Sequence, residues 1–252
     1  MIKKLVNIGF SLSFLISCQA KEKDNSFKID IQKTEQVKSD ALPYKIREAK
    51  GNEKPVLVIL LHGYGANEDD LQPVAQYFPE NYIVVTPQAP YKIGQQNYQW
   101  YTSEKDKEGG FGAKANELAS SIEKVETLVK DFQKKYNISA SRTFIGGFSQ
   151  GANMGYQLGL KDPLLFKGIG VLSGTIFNSL QKDHEKDKAS PLKIFIGHGD
   201  MDDRIPYTEA IHSKKWLDEH HFESELHTYK GMSHSISPEE IQDFLHFTGK
   251  NL

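Results

Sequence analysis

The chain has 252 residues, with 31 Lys plus Arg against 33 Asp plus Glu, a net charge of −2 and 11% aromatic side chains. Balanced charge gives no drive toward nucleic acid, whose binders carry a basic face, and the aromatic content argues against disorder. No apolar run reaches the roughly 18 to 20 residues of a spanning helix, and a single Cys excludes an intramolecular disulfide.

At the start of the chain, Met1-Ile2-Lys3-Lys4 is basic, and residues 5–16 are uncharged and end at Leu15-Ile16-Ser17-Cys18. A cationic start, an apolar stretch of this length and a small residue before a cleavage point read as an export signal. Leu-Ile-Ser-Cys also resembles a bacterial lipobox, which implies a signal peptide over 1–17 and lipid on Cys18. Residues 18–41 are polar and lysine-rich and read as a flexible tether, with a short strand possible around 27–31. The folded domain is expected over 42–252.

Within that domain, residues 56–61 and 82–86 are apolar on both faces, as strands buried in a parallel sheet are. Weaker strand signals follow at 143–148, 167–172, 192–196 and 223–229. Leu118, Ile122, Val125, Leu128, Val129, Phe132 and Tyr136 recur at steps of three and four, which predicts a helix over 113–136 with a core-facing stripe. Ser237-Pro238-Glu239-Glu240 announces a last helix, with Ser as N-cap, Pro at the first helical position and Glu closing a capping box. This alternation predicts an α/β fold, a mostly parallel sheet with helices on both faces. In such sheets ligands gather outside the carboxyl ends of the strands.

At one such end stands Gly147-Phe148-Ser149-Gln150-Gly151, a nucleophile-elbow pattern with a strand before it and helical sequence after. A serine hydroxyl needs a base, and the base needs a third group to orient it. Of nine histidines, His234 in Gly231-Met232-Ser233-His234-Ser235 follows the last strand, where this fold places its base. His220, His221, His212, His246 and His184 read as surface residues, His227 as a strand residue, and His62 as a hydrogen-bonded structural one. For the acid, Asp200, Asp202 and Asp203 crowd one turn, and spacing alone leaves the choice open. Those not engaged by the imidazole are expected to cap the helix near Tyr207 or pair with Arg204. The oxyanion of an acyl-transfer intermediate needs two donors. The Gln150 amide and the Tyr64 amide of the His62-Gly63-Tyr64-Gly65 loop are the candidates.

Together these residues resemble the phospholipase/carboxylesterase family of α/β-hydrolases, which includes bacterial carboxylesterases and acyl-protein thioesterases. The resemblance runs through Leu61-His62-Gly63-Tyr64-Gly65, Thr86-Pro87-Gln88-Ala89-Pro90, the serine elbow, the His198 to Pro206 turn and the His234 turn. It implies the α/β-hydrolase fold, Asp202 as the acid, the Tyr64 and Gln150 amides as oxyanion donors, and Trp100 as a substrate-facing residue. It also implies hydrolysis of a small-molecule carboxylic ester through an acyl-enzyme, without cofactor or metal. Thioester hydrolysis would use the same residues but suits an exported chain less well. The rivals are a serine peptidase on this fold, or a binding protein on a retired one. Aromatics in the 92–112 segment are expected to border the acyl or alcohol site. The natural acyl and alcohol groups and the oligomeric state are written in no motif.

Overall fold

The structure is a computed structural model, and it describes residues 37–38, 42–183 and 190–252. The expected export signal, Cys18, most of the tether and the possible 27–31 strand lie outside these residues. In chain order come β1 (Val37–Lys38), β2 (Pro43–Arg47), β3 (Val56–Leu61), helix α1 (Gln72–Ala75) and β4 (Tyr82–Pro87). Two small hairpins follow, β5 (Tyr91–Lys92) with β6 (Tyr98–Gln99) and β7 (Ser103–Lys105) with β8 (Phe111–Ala113). Then come α2 (Ala115–Tyr136), β9 (Thr143–Phe148), α3 (Gln150–Lys161), β10 (Gly168–Leu172) and α4 (Asn178–Asp183). The chain closes with β11 (Lys193–Gly199), α5 (Tyr207–Glu219), β12 (Glu223–Tyr229) and α6 (Pro238–Lys250).

Eight of these strands form one sheet in the order β1-β2-β4-β3-β9-β10-β11-β12. The β1–β2 and β2–β4 pairs are antiparallel, and every other pair is parallel. From β3 the chain first moves one way to β4, then returns to lay β9 on the other side. The order therefore reverses between β3 and β9, and a crevice opens beyond their carboxyl ends at such a switch point.

The two faces of the sheet follow from the period-two alternation of its strands. Leu57, Ile59 and Leu61 of β3 share a core with Ile122, Val125, Leu128 and Val129 of α2 and with Trp216 and Leu217 of α5. Val56, Val58 and Leu60 face the other way, toward Ala75 of α1 and Phe244 and Phe247 of α6. Apolar burial contributes about 1.5–3 kcal/mol for each of the Val, Leu, Ile and Phe side chains. The α2 stripe is the predicted one, although the helix begins at Ala115 because residues 111–113 pair in β8. Two parts of the architecture were not expected: β1 and β2, and the paired hairpins. β1 falls inside the segment read as tether, where Val37 and Lys38 pair with Tyr44 and Pro43.

Helix α6 starts as its sequence predicts, with Pro238 in the first turn and Ser237 Oγ accepting the Glu240 N–H at 3.1 Å. Glu240 is fully buried with its carboxyl beside the Ser237 amide, as the capping box requires, and it packs against Gly197, where a Cβ would have no room. Burial pushes its pKa from 4.5 up to about 8. The folded protein therefore keeps this proton over a range where the unfolded chain has lost it, and stability falls as pH rises from about 4.5 to 8. In Glu240→Gln, urea unfolding should show this slope removed, with a gain at pH 8 on the order of 3 kcal/mol. An unchanged slope in the variant would count against a buried neutral acid.

Candidate active site

Strand β9 ends and α3 begins on Ser149, whose φ of 54° and ψ of −114° lie in a region that a non-glycine residue enters only under constraint. Its own N–H donates to Leu172 O at 2.9 Å, which ties the elbow to the end of the neighbouring strand. The flanking glycines are required sterically. A Cβ on Gly147 would run into the Gly151 backbone, and one on Gly151 into the Leu61 and His62 carbonyls.

His234 reaches this serine from the far end of the sheet. Gly231, at φ 72°, turns the chain after β12, and its N–H donates to Asp200 Oδ1 at 2.6 Å. The His234 ring rests against Phe148, with centroids 4.8 Å apart. Its Nδ1 lies 2.7 Å from Asp202 Oδ2 and its Nε2 2.8 Å from Ser149 Oγ. An ionised aspartate can only accept, so Nδ1 carries the hydrogen and Nε2 is left as the acceptor for the serine hydroxyl.

Asp202 meets the condition for that assignment. Burial works to raise its pKa, but hydrogen bonds from His234 and from the Ile205 and Arg204 amides outweigh it, so the carboxyl sits below its ordinary value. Both amides reach Oδ1 at 2.9 Å. A second imidazole touches the same carboxylate: buried His198 places Nε2 2.8 Å from Ile205 O and 3.3 Å from Asp202 Oδ2. Burial lowers the His198 pKa and keeps the ring a neutral donor. The three aspartates thus separate by partner. Asp200 holds the histidine turn instead of capping α5, whose N-cap is Pro206 without a side-chain bond. Asp203 is exposed and forms no ion pair with Arg204 among the described residues, against the pairing expected.

The Gly63 loop lies directly over the serine, since a Cβ at Gly63 would stand 3.6 Å from Ser149 Cβ. Neither the Tyr64 nor the Gln150 N–H donates a hydrogen bond among the described residues, which leaves both amides beside the serine unengaged. Side chains lock the two segments together. Gln150 accepts from the Trp100 N–H at 2.7 Å and donates to Tyr101 O at 2.8 Å, while the Trp100 indole donates to His62 O at 2.9 Å. His62 donates from Nδ1 to Gly63 O at 2.8 Å and accepts the Ala89 N–H on Nε2 at 3.0 Å. Burial pushes its pKa down to about 4, so the ring is a fixed neutral strut, as its strand-end position suggested.

Trp100 is therefore placed differently from the substrate-facing position expected of it. The side chain is completely buried and packs on His62, with centroids 5.3 Å apart, because its indole N–H has found a carbonyl inside the fold. The cleft above the serine, about 580 Å³, is lined instead by Gly63, Tyr64, Phe148, Asp203, Arg204 and Ser233 around Ser149 and His234. Tyr98 and Tyr101 of the 92–112 segment brace it from behind, and Phe111 borders a separate cavity of about 340 Å³ with Thr175, Asn178 and Glu209. His220, expected at the surface, is buried and stacked on Trp216. Among the described residues, no three His, Cys, Asp or Glu side chains gather to hold a metal.

An elbow serine, a hydrogen-bonded histidine and a buried aspartate, at the switch point of a mostly parallel sheet, place the molecule among the α/β-hydrolases. The model of the family described as Phospholipase/Carboxylesterase matches residues 44–252. The chain belongs to this family. Among curated members it is similar to acyl-protein thioesterase 1 of Kluyveromyces lactis, 33% identical over 143 residues, covering 54% of this chain and 60% of that protein. The match thus spans somewhat less than two thirds of that relative's length. To acyl-protein thioesterase 1 of Mycosarcoma maydis it is 26% identical over 228 residues, covering 81% of this chain and 95% of the relative. The solved structure of esterase PE8 superposes with a TM-score of 0.70 at 25% identity, covering 82% of this chain and 97% of that one.

Proposed function

We propose that this member of the family is a serine hydrolase that cleaves carboxylic esters through an acyl-enzyme. The observation that carries the reading is the unbroken Ser149–His234–Asp202 hydrogen-bond chain opening into a cleft beside two amides unengaged among the described residues. Ser149 Oγ attacks the ester carbonyl as His234 Nε2 takes its proton. Asp202 stays ionised and stabilises the imidazolium. The Tyr64 and Gln150 amides receive the oxyanion. His234 then protonates the leaving alcohol, and water repeats the sequence to release the acid. Family relatives carrying the name acyl-protein thioesterase support a thioester version of the same steps. Matched oxygen and sulfur esters of one acyl group compare the two directly. The main reading expects 4-nitrophenyl esters to be turned over with a burst of one equivalent per site, and a fluorophosphonate probe to label Ser149. Absence of both on folded protein would refute it.

The export signal, read from Lys3, Lys4 and residues 5–18, extends this proposal to location. Lipid on Cys18 would hold the domain on a bacterial membrane. Each buried CH₂ stabilises attachment by about 0.8 kcal/mol, and two or more chains are needed to hold firmly. Full-length protein in a bacterial host should incorporate labelled palmitate and sediment with membranes, and Cys18→Ala should do neither. Unlabelled, soluble wild type would remove the anchor and the case for extracytoplasmic esters.

A further inference from the structure

The chain has only three arginines among its 31 basic residues. Two of them are clamps: Arg47 donates to the Phe78, Pro79 and Tyr82 carbonyls, and Arg142 to those of Pro55 and Lys54. Arg204 is not a clamp. Its guanidinium has no hydrogen bond and no ion pair among the described residues, and it lines the cleft over Ser149. Its backbone is nevertheless fixed, because its N–H is bound to Asp202 Oδ1, so the free side chain starts from a turn held by the triad itself.

We infer that Arg204 makes the cleft selective for esters that carry an anionic oxyacid group, a carboxylate or phosphate, in addition to the scissile bond. This rests on the hydrolase reading above. A guanidinium presents a planar fork of donors that matches two oxygens of such a group at once, and an arginine already engaged with carbonyls cannot do so. Outside the triad and among the described residues, the only other charged side chain lining the cleft is Asp203, also exposed and without a partner there. Its carboxylate repels the same ligand and limits the preference. The two side chains should therefore act with opposite sign. In an open cleft, a charge-assisted contact is expected to change kcat/KM by about tenfold.

Two substrate pairs test this and locate the anion. On the acyl side, mono-4-nitrophenyl adipate is compared with its neutral methyl ester. On the alcohol side, acetylated glycerol 3-phosphate is compared with acetylated glycerol. The wild type should favour the anionic member of at least one pair, and that pair shows which part of the substrate Arg204 meets. Arg204→Ala should lower the anionic-to-neutral ratio of kcat/KM about tenfold, Arg204→Lys should restore part of it, and Asp203→Asn should raise it. Raising ionic strength from about 0.01 to 0.5 M should shrink the wild-type preference, since exposed charges are screened. A purely structural role would lower both members of a pair equally and leave the ratio unmoved. An unmoved ratio in Arg204→Ala, or no anionic preference in either pair, overturns the inference while leaving the hydrolase reading intact. Failure of the wild type to turn over any of the four esters overturns both.

Discussion

Ser149→Ala should lower kcat by about 10⁶-fold, the scale seen when the nucleophile of a serine hydrolase is removed. The size follows from the local geometry. Among the described residues Ser149 Oγ is the one group that His234 Nε2 meets, at 2.8 Å, and the elbow holds it at φ 54° above the sheet. Alanine keeps the backbone N–H bond to Leu172 O and accepts the same strained φ at similar cost, so the fold and the oxyanion amides survive. What remains is positioning and electrostatic stabilisation without a nucleophile, which still exceeds the uncatalysed rate by about 10³ to 10⁴. The check is single-turnover kinetics together with thermal unfolding. A folded variant that keeps more than about a hundredth of wild-type kcat would show that another group attacks the substrate.

The elements that could be read in advance were those whose physics is local. β3 and β4 are apolar on both faces because they lie inside the sheet, and α2 writes its buried stripe at steps of three and four. The Ser237 cap needs only its own neighbours. β2 escaped notice because Pro43, Lys45 and Arg47 break its apolar pattern. Its charges are explained only by distant partners, such as the carbonyls that Arg47 meets 31 to 35 residues away. The site divides in the same way. Ser149 and His234 stood out because an elbow and a post-strand turn have recognisable sequences. Which of Asp200, Asp202 and Asp203 faces His234 is decided by a bond across 32 residues, and spacing within the turn carries no trace of it. Trp100 shows the limit of carrying a role over by resemblance. Its partners, His62 O and the Gln150 side chain, lie 38 and 50 residues away, and they turn an aromatic expected at the substrate into a brace between the two oxyanion segments.

Asp202→Asn should lower kcat by about 10⁴-fold, the effect of the equivalent change in another triad hydrolase, at a cost in stability of about 1–3 kcal/mol from the unmet buried donors. The hydrogen-bond inventory explains why so small a change matters. Oδ1 accepts the Arg204 and Ile205 amides at 2.9 Å each, so an asparagine must keep its carbonyl oxygen there. Its NH₂ then replaces Oδ2 and meets His234 Nδ1 as a donor, which forces the hydrogen onto Nε2. In that tautomer the imidazole offers Ser149 a donor instead of an acceptor and cannot take its proton. His198 Nε2, 3.3 Å from the same position, now points its hydrogen at the NH₂ as well, so neither rotamer satisfies every partner. Asp200→Asn should lose far less, because an amide oxygen can still accept the Gly231 N–H. Asp203→Asn should lose little on neutral esters, because its carboxylate has no partner among the described residues. The three variants, compared on one neutral ester with circular dichroism as a folding check, rank the aspartates without reference to any relative. If Asp200→Asn or Asp203→Asn lowers kcat more than Asp202→Asn in a folded protein, the hydrogen bond from His234 to Asp202 is not the one that orients the base.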